Sequence, residues 1–147
     1  MARAVLALGS NLGDREGFLA FAVSSLSALP NTRVLKQSAL RETEPVDVPE
    51  DFTELKFLNG AVLIETQLSP EVLLEAALAI EAEAGRVRTV RNGPRPLDVD
   101  LILYEGERRA TERLILPHPR AHLRDFVLDP LRDLGFTAMD VVENRFP

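Results

Sequence analysis

Residues 57–65 read FLNGAVLIE. Alternate residues of a strand point to opposite sides. Leu58, Gly60, Val62 and Ile64 therefore share one face, and Phe57, Asn59, Ala61 and Leu63 the other. Neither set is polar, so the strand has both faces largely covered, and the rest of the chain must supply that cover. Asn59 is the exception within the run. A buried amide needs a partner, either a neighbouring backbone group or a heterocycle brought to it.

The flanking segments supply elements of both kinds. Ala2–Leu8 is a short apolar run ended by Gly9-Ser10-Asn11, which predicts a buried strand and a turn. It is too short for the apolar core of a secretion signal. Asp14 can cap a helix whose core face is Phe18, Ala22, Leu26 and Leu29, and Pro30 stops it. Thr32–Leu40 reads as a second strand. Residues 42–51 are acidic, carry two prolines and show no period, which predicts a long connecting loop of the kind that often has a function. Ser69-Pro70-Glu71 is a helix start, with a hydroxyl cap, proline at the first position and an acid in the first turn. Leu73, Ala76, Ala77, Ile80 and Ala84 form its apolar stripe, and Gly85 ends it. Leu97–Tyr104 is a further strand with a hairpin tip at Glu105-Gly106-Glu107. After a short apolar piece and the turn Pro117-His118-Pro119, residues Arg120–Leu134 predict a helix. Strands and helices alternate irregularly and one connection is a hairpin, so the expected class is α+β. A length of 147 residues suits one domain, residues 1–147, with a core that needs no disulfide or structural metal.

Charge narrows the function. A net charge of −6 argues against a nucleic-acid or anionic-membrane binder. No stretch approaches the roughly 18–20 apolar residues of a membrane span. The absence of cysteine excludes thiolate metal sites and fits a cytoplasmic location. All the basic residues but Lys36 and Lys56 are arginine, so the placement of arginine is more informative than its number.

One placement stands out, in GRVRTVRNGPRPLDVDLILY, residues 85–104. Arg86, Arg88, Arg91 and Arg95 come with no acid among them, followed by Asp98 and Asp100. Two residues apart on a strand, the aspartates share a face, with Cα atoms ~6.5–7 Å apart. They can meet one metal or bracket two, while Leu97, Val99, Leu101 and Leu103 take the other face. Aspartate is a poor strand former, which favours a functional reading over a solvated polar face. Carboxylates for a hard cation beside guanidiniums for phosphate oxygens are the parts of a magnesium–polyphosphate site. Pro94 and Pro96 restrict the backbone around Arg95. Arg86 and Arg88 follow Gly85 on an arm suited to closing over a ligand, although cations near a helix C-terminus are favoured in any case. A lone histidine such as His118 is by default structural, and His122 has nothing around it to recommend it. Phe57 and Phe126 are core by default, or can stack on a planar ligand. Walker A, G-x-G-x-x-G, G-x-S-x-G and kinase signatures are all missing.

The run GRVR…GPRPLDVDLIL resembles the signature of the 6-hydroxymethyl-7,8-dihydropterin pyrophosphokinase family. Further blocks agree in order: LGSNLG (8–13), ETEPV (42–46), FLNGAV (57–62), Glu81, LPHP (116–119) and RDFVLDPL (124–131). The resemblance covers nearly the whole chain. It implies a ferredoxin-like fold, a largely antiparallel sheet with helices packed on it. It also implies transfer of pyrophosphate from ATP to the pterin hydroxymethyl group with release of AMP, by a monomer. Asp98 and Asp100 match the ligands of two Mg²⁺ ions. Arg86, Arg95 and His118 match phosphate contacts, with Arg88 on a moving loop and Arg124 near the phosphates. Leu74, Glu81, Leu101 and Arg113 match the nucleotide side; Thr43, Pro45, Val46, Phe57, Asn59 and Phe126 match the pterin pocket. Arg86, Arg95, Asp98 and Asp100 carry the catalytic expectation. The chain departs from the family pattern at Asn92, where tryptophan is frequent, at Pro119 in place of an aromatic, and at Phe57 in place of tyrosine.

Two other classes compete on residues alone. One is a different metal-dependent transferase with a D-x-D strand, such as an adenylyltransferase, which would release free pyrophosphate. The other is a ferredoxin-like ligand-binding domain without catalysis, whose behaviour would survive loss of Asp98 and Asp100.

Overall fold

The computed structural model describes residues 1–44, 56–85 and 96–147. In chain order it contains β1 (Ala2–Ser10), α1 (Arg15–Ser27), β2 (Thr32–Gln37), β3 (Arg41–Thr43), β4 (Phe57–Thr66), α2 (Pro70–Glu83) and β5 (Asp98–Tyr104). The ribbon strands β6 (Arg109–Ala110) and β7 (Ile115–Leu116) follow, then a 3₁₀ turn at Ala121–Leu123, α3 (Asp125–Asp133) and α4 (Ala138–Glu143). The main sheet has the order β2-β4-β1-β5, with β3 also paired to β4. Every pairing is antiparallel. Two interleaved β-α-β units with this order make a ferredoxin-like α+β fold.

Both faces of β4 are covered, as its composition requires. Leu58, Val62 and Ile64 join Ala4, Leu6 and Leu8 of β1 in a core closed by Leu19, Ala22 and Leu26 of α1 and Leu73, Ala77 and Ile80 of α2. Ala61 and Leu63 join Val5 in a second core, closed by Val127, Leu128 and Leu131 of α3, then Leu134, Phe136 and Val141. The helix starts follow their expected chemistry. Asp14 Oδ1 accepts from Gly17 N at 3.0 Å, and Ser69 Oγ accepts from Val72 N at 3.2 Å. Gly85 takes φ +89°, the left-handed turn that releases the chain from α2.

Several boundaries differ from the sequence reading. β2 stops at Gln37 and the chain re-enters the sheet as β3, so Glu42 and Thr43 belong to a strand. The remainder of the expected loop, residues 45–51, lies outside the described residues. The turn at Glu105-Gly106 forms, with Glu107 N donating to Tyr104 O at 3.1 Å, but β6 then pairs with β7 rather than returning along β5. The expected helix over 120–134 divides because Arg124 is extended, at φ −123° and ψ 114°. The core face of α1 is centred on Leu19, with Phe18 and Leu29 only partly buried. Leu103 was expected beside Val99 and Leu101, yet it packs in the second core with Ile102. The cause is a bulge: Val5 pairs with Leu103 and Leu6 with Leu101, leaving Ile102 as the extra residue.

Phe136 is 2% exposed and meets Phe146 edge-on, with centroids 5.3 Å apart. Phe136→Ala is expected to destabilise the protein by about 3–5 kcal/mol in urea unfolding; a loss below 1 kcal/mol would mean the second core is not load-sharing with the first. At the start of α4, Asp140 accepts from Thr137 N at 2.8 Å and from Arg145 Nε at 2.7 Å. The backbone bond from Thr137, then the bond from Arg145, hold its carboxyl below the ordinary aspartate range. The stability it contributes is therefore complete above the unfolded value near pH 4 and is lost as pH falls through the lower folded value. Asp140→Asn should flatten the acid limb of a stability–pH profile there, and an unaltered limb would count against this bond network.

Candidate active site

β1 carries the centre of the site without contributing a side chain to it. Gly9 pairs with Asn59 of β4 on one side and with Asp98 of β5 on the other. The three lie in one row across the sheet, on the face shared with Val5 and Ala7, where residues of β5 next to Ala7 present Asp100. A Cβ on Gly9 would stand 3.2 Å from Asn59 Oδ1 and 3.7 Å from the Phe57 ring. Glycine thus lets the Asn59 amide lie close over β1, beside the position that pairs with Asp98. Asn59 is 6% exposed, and its Nδ2 donates to Thr43 Oγ1 at 2.6 Å. That bond turns Oδ1 towards Gly9.

Glu81 enters from α2. Four residues beyond Ala77, it continues the helix's buried stripe and is itself 3% exposed. Its Oε2 accepts from Val99 N at 2.7 Å, satisfying a backbone donor on an edge strand. Oxygens of Glu81, Asp98 and Asp100 lie within 4.8 Å of one another. Carboxylates held this close repel unless a cation or a proton lies among them. The all-oxygen donor set matches a hard divalent cation such as magnesium.

A cavity of about 430 Å³ opens beside this cluster, and Leu74, Glu81, Asp100, Leu101, Arg113 and His118 are among its lining residues. His118 is fixed at two points. Its backbone N donates to Ile102 O at 2.9 Å, and its Nδ1 accepts from Arg120 N at 3.2 Å. The proton of the neutral ring accordingly sits on Nε2. Burial, followed by the charge of Arg124, lowers its pKa, and Asp98 only partly opposes them. His118 is therefore a neutral donor at the edge of an acidic cluster. Arg113 is ion-paired with Glu75 of α2.

The structure thus gathers the nucleotide-side expectations Leu74, Glu81, Leu101 and Arg113 and, of the expected phosphate contacts, His118, around one cavity. Thr43, Phe57 and Asn59 lie together across the sheet from it. Phe126, on α3, is partly buried against the second core, and the Arg124 guanidinium lies 5.6 Å from its ring centroid. Pro45, Val46, Arg86, Arg88 and Arg95, with the departure at Asn92, lie outside the described residues. Reasoning from residue types alone misses Gly9, whose signal is a glycine ending an apolar strand. It also passes over the cavity residues Leu78 and Glu112.

Comparison with known proteins gives the family. Residues 5–135 match the family model described as 7,8-dihydro-6-hydroxymethylpterin-pyrophosphokinase (HPPK). A 2-amino-4-hydroxy-6-hydroxymethyldihydropteridine pyrophosphokinase of Methylorubrum extorquens is 49% identical over 136 residues, 92% of this chain and 84% of that protein. Its namesake in Bacillus subtilis is 47% identical over 131 residues, 89% of this chain and 77% of that one. Among solved structures, an HPPK-DHPS crystallised in complex with substrates superposes with a TM-score of 0.66 over 98% of this chain. The chain spans 43% of that longer polypeptide, and at 13% identity the likeness speaks for the fold. With its residues matched from one end of the sheet to the end of α3, the chain belongs to the 7,8-dihydro-6-hydroxymethylpterin-pyrophosphokinase family.

Proposed function

We propose that the chain transfers the terminal pyrophosphate of ATP to 6-hydroxymethyl-7,8-dihydropterin, giving AMP and the pterin diphosphate for folate biosynthesis. In this reading the reaction depends on magnesium and forms no covalent enzyme intermediate. The observation that carries it is the convergence of Glu81, Asp98 and Asp100 oxygens within 4.8 Å at the wall of a cavity that also holds His118. When bound between Asp98 and Asp100, two Mg²⁺ ions would neutralise phosphate charge on the attacking and leaving sides.

The chain's own residues meet the remaining demands. The cavity between α2, β5 and the segment before β7 takes the nucleotide, with Leu74 and Leu101 as apolar walls and Arg113 at its rim. His118 Nε2–H donates to a phosphate oxygen without adding charge. On the far side of Gly9, Asn59 Oδ1 accepts from a ring N–H of the pterin, and Phe57 and Phe126 offer ring faces for stacking. Asp98 lies between these two subsites in the sheet. That placement supports direct transfer, with both substrates held for in-line displacement and no enzyme nucleophile between them. Arg86, Arg88, Arg95 and Arg124 are assigned to phosphate oxygens and Pro45 and Val46 to the pterin, on the strength of the sequence motifs. The same reading has residues 1–147 acting as a single domain and a monomer in the cytoplasm, without nucleic acid or membrane. Among the described residues no helix is long and apolar enough to cross a membrane.

Incubating the protein with ATP, Mg²⁺ and the hydroxymethyl pterin should release AMP in step with pterin diphosphate. Free pyrophosphate instead would identify an adenylyl transfer, and no AMP above a pterin-free control would overturn the proposal. Asp98→Asn and Asp100→Asn, checked for folding by circular dichroism, should each lower kcat by about 10²-fold or more. Retention of wild-type turnover in both would remove the carboxylates from the mechanism.

A further inference from the structure

β2 and β3 lie end to end along one edge of β4. Thr32–Gln37 pairs with residues 62–66, and Arg41–Thr43 with residues 57–59. Between them Ser38, Ala39 and Leu40 leave the regular ladder. Ser38 keeps the path close to β4, with its N donating to Ala61 O at 2.9 Å and its Oγ accepting from Ala61 N at 2.8 Å. Leu40 packs against Gly60, where a Cβ would stand 2.8 Å from Leu40 Cδ2 and displace the tip of that side chain.

Asp133, the last residue of α3, closes this connection from the other side. Its Oδ2 accepts from Ala39 N at 3.0 Å and from Arg41 Nη1 at 2.8 Å, and its Oδ1 accepts from Arg41 Nη2 at 2.8 Å. One carboxylate thus ties the backbone just before β3 to the first side chain of β3 by a bidentate pair, the strong form of such contacts. The carboxylate is rigidly mounted, because α3 is anchored by Val127, Leu128 and Leu131 in the second core. Arg41 holds the Asp133 carboxyl below the ordinary range, so the pair is charged throughout neutral pH.

β3 is three residues long, and its ladder to β4 is correspondingly short. Yet it delivers Thr43, the partner that turns the Asn59 amide oxygen towards Gly9. Its middle residue is braced separately: Arg15 Nη2 donates to Glu42 Oε2 at 2.8 Å and Arg15 Nη1 to Lys56 O at 3.0 Å. A small shift of β3 would change which way the Asn59 amide points without disturbing either core.

We infer that Arg41 and Asp133 are positioning residues for the pterin, acting through Thr43 and Asn59 to hold the amide that recognises its ring. This rests on the pyrophosphokinase reading above. Neither residue lines the nucleotide cavity, so the effect is confined to one substrate.

The test is steady-state kinetics of AMP formation by the full chain, with each substrate varied in turn, beside thermal unfolding. Arg41→Ala and Asp133→Ala should each raise KM for the pterin by about fivefold to tenfold, with KM for ATP and kcat within twofold of wild type. The double variant should be no worse than the poorer single one, because both remove the same link. Arg41→Lys, which keeps charge and stem but loses the fork, should raise it by about two- to threefold, and it serves if an alanine variant does not fold. A lowered Tm with both KM values unchanged, or an equal rise in both, overturns the inference and leaves the pair as a surface tie. Wild-type protein that forms no AMP overturns the pyrophosphokinase reading instead. In that event, binding of oxidised 6-hydroxymethylpterin, followed by its fluorescence, decides this inference: equal affinity in wild type and Arg41→Lys overturns it.

Discussion

The antiparallel register that places Gly9 opposite both Asn59 and Asp98 is the constraint on which the site depends. Strand side chains alternate with a period of two, so a slip of one residue would carry Asp98 and Asp100 to the face covered by α1 and α2. There they would be buried among Leu6, Leu8 and Ile80, far from any second substrate. Apolar burial on both sides of β4 and β1 makes such a slip prohibitive. The two cores hold the sheet in register, and the register holds the chemistry. Ile102, the bulged residue, extends this control along β5. It lets the strand give Asp98 and Asp100 to the open end of one face and still supply both Ile102 and Leu103 to the second core.

Three carboxylates within 4.8 Å of one another, one of them buried, repel, and that cost has to be offset by donors or positive charge around them. Glu81 recovers part of that cost by accepting from Val99 N, and the same bond fastens α2 to the edge strand that bears the aspartates. Loss of its carboxylate would disturb both the strand edge and the acidic cluster. Polar groups on this face are concentrated at one end, where the buried Asn59 and the half-buried Asp98 and Asp100 replace the aliphatic residues found further along.

Much of this is legible in the residues themselves. Phe57–Glu65 announces two cores, because both alternating sets of its side chains are apolar and each needs cover. Asp98 and Asp100 are recognisable as a shared face because residues two apart on a strand point to the same side. Asp14 and Ser69 declare their helices through local hydrogen bonding. What stays hidden depends on distant partners. The bulge at Ile102 is set by the pairing with β1 and leaves no mark in the composition of β5. The Arg41–Asp133 pair joins residues 92 positions apart. α4 is six residues long with its two valines adjacent, so it shows no period, and its clearest signal is Thr137 with Asp140 three residues on. Glu81 is visible in principle, as a carboxylate on an otherwise apolar stripe, but its role emerges only once β5 lies beside α2.

In the proposed reaction β5 presents Asp98 and Asp100 as ligands of a nucleotide-bound divalent cation. Electron paramagnetic resonance titration of Mn²⁺ with the α,β-methylene analogue of ATP tests it without turnover. The wild-type protein should hold Mn²⁺ in the ternary complex. The Asp98→Asn/Asp100→Asn variant, with an unchanged unfolding temperature, should leave the ion with the free nucleotide. Equal retention of Mn²⁺ by the two proteins would rule out Asp98 and Asp100 as its ligands.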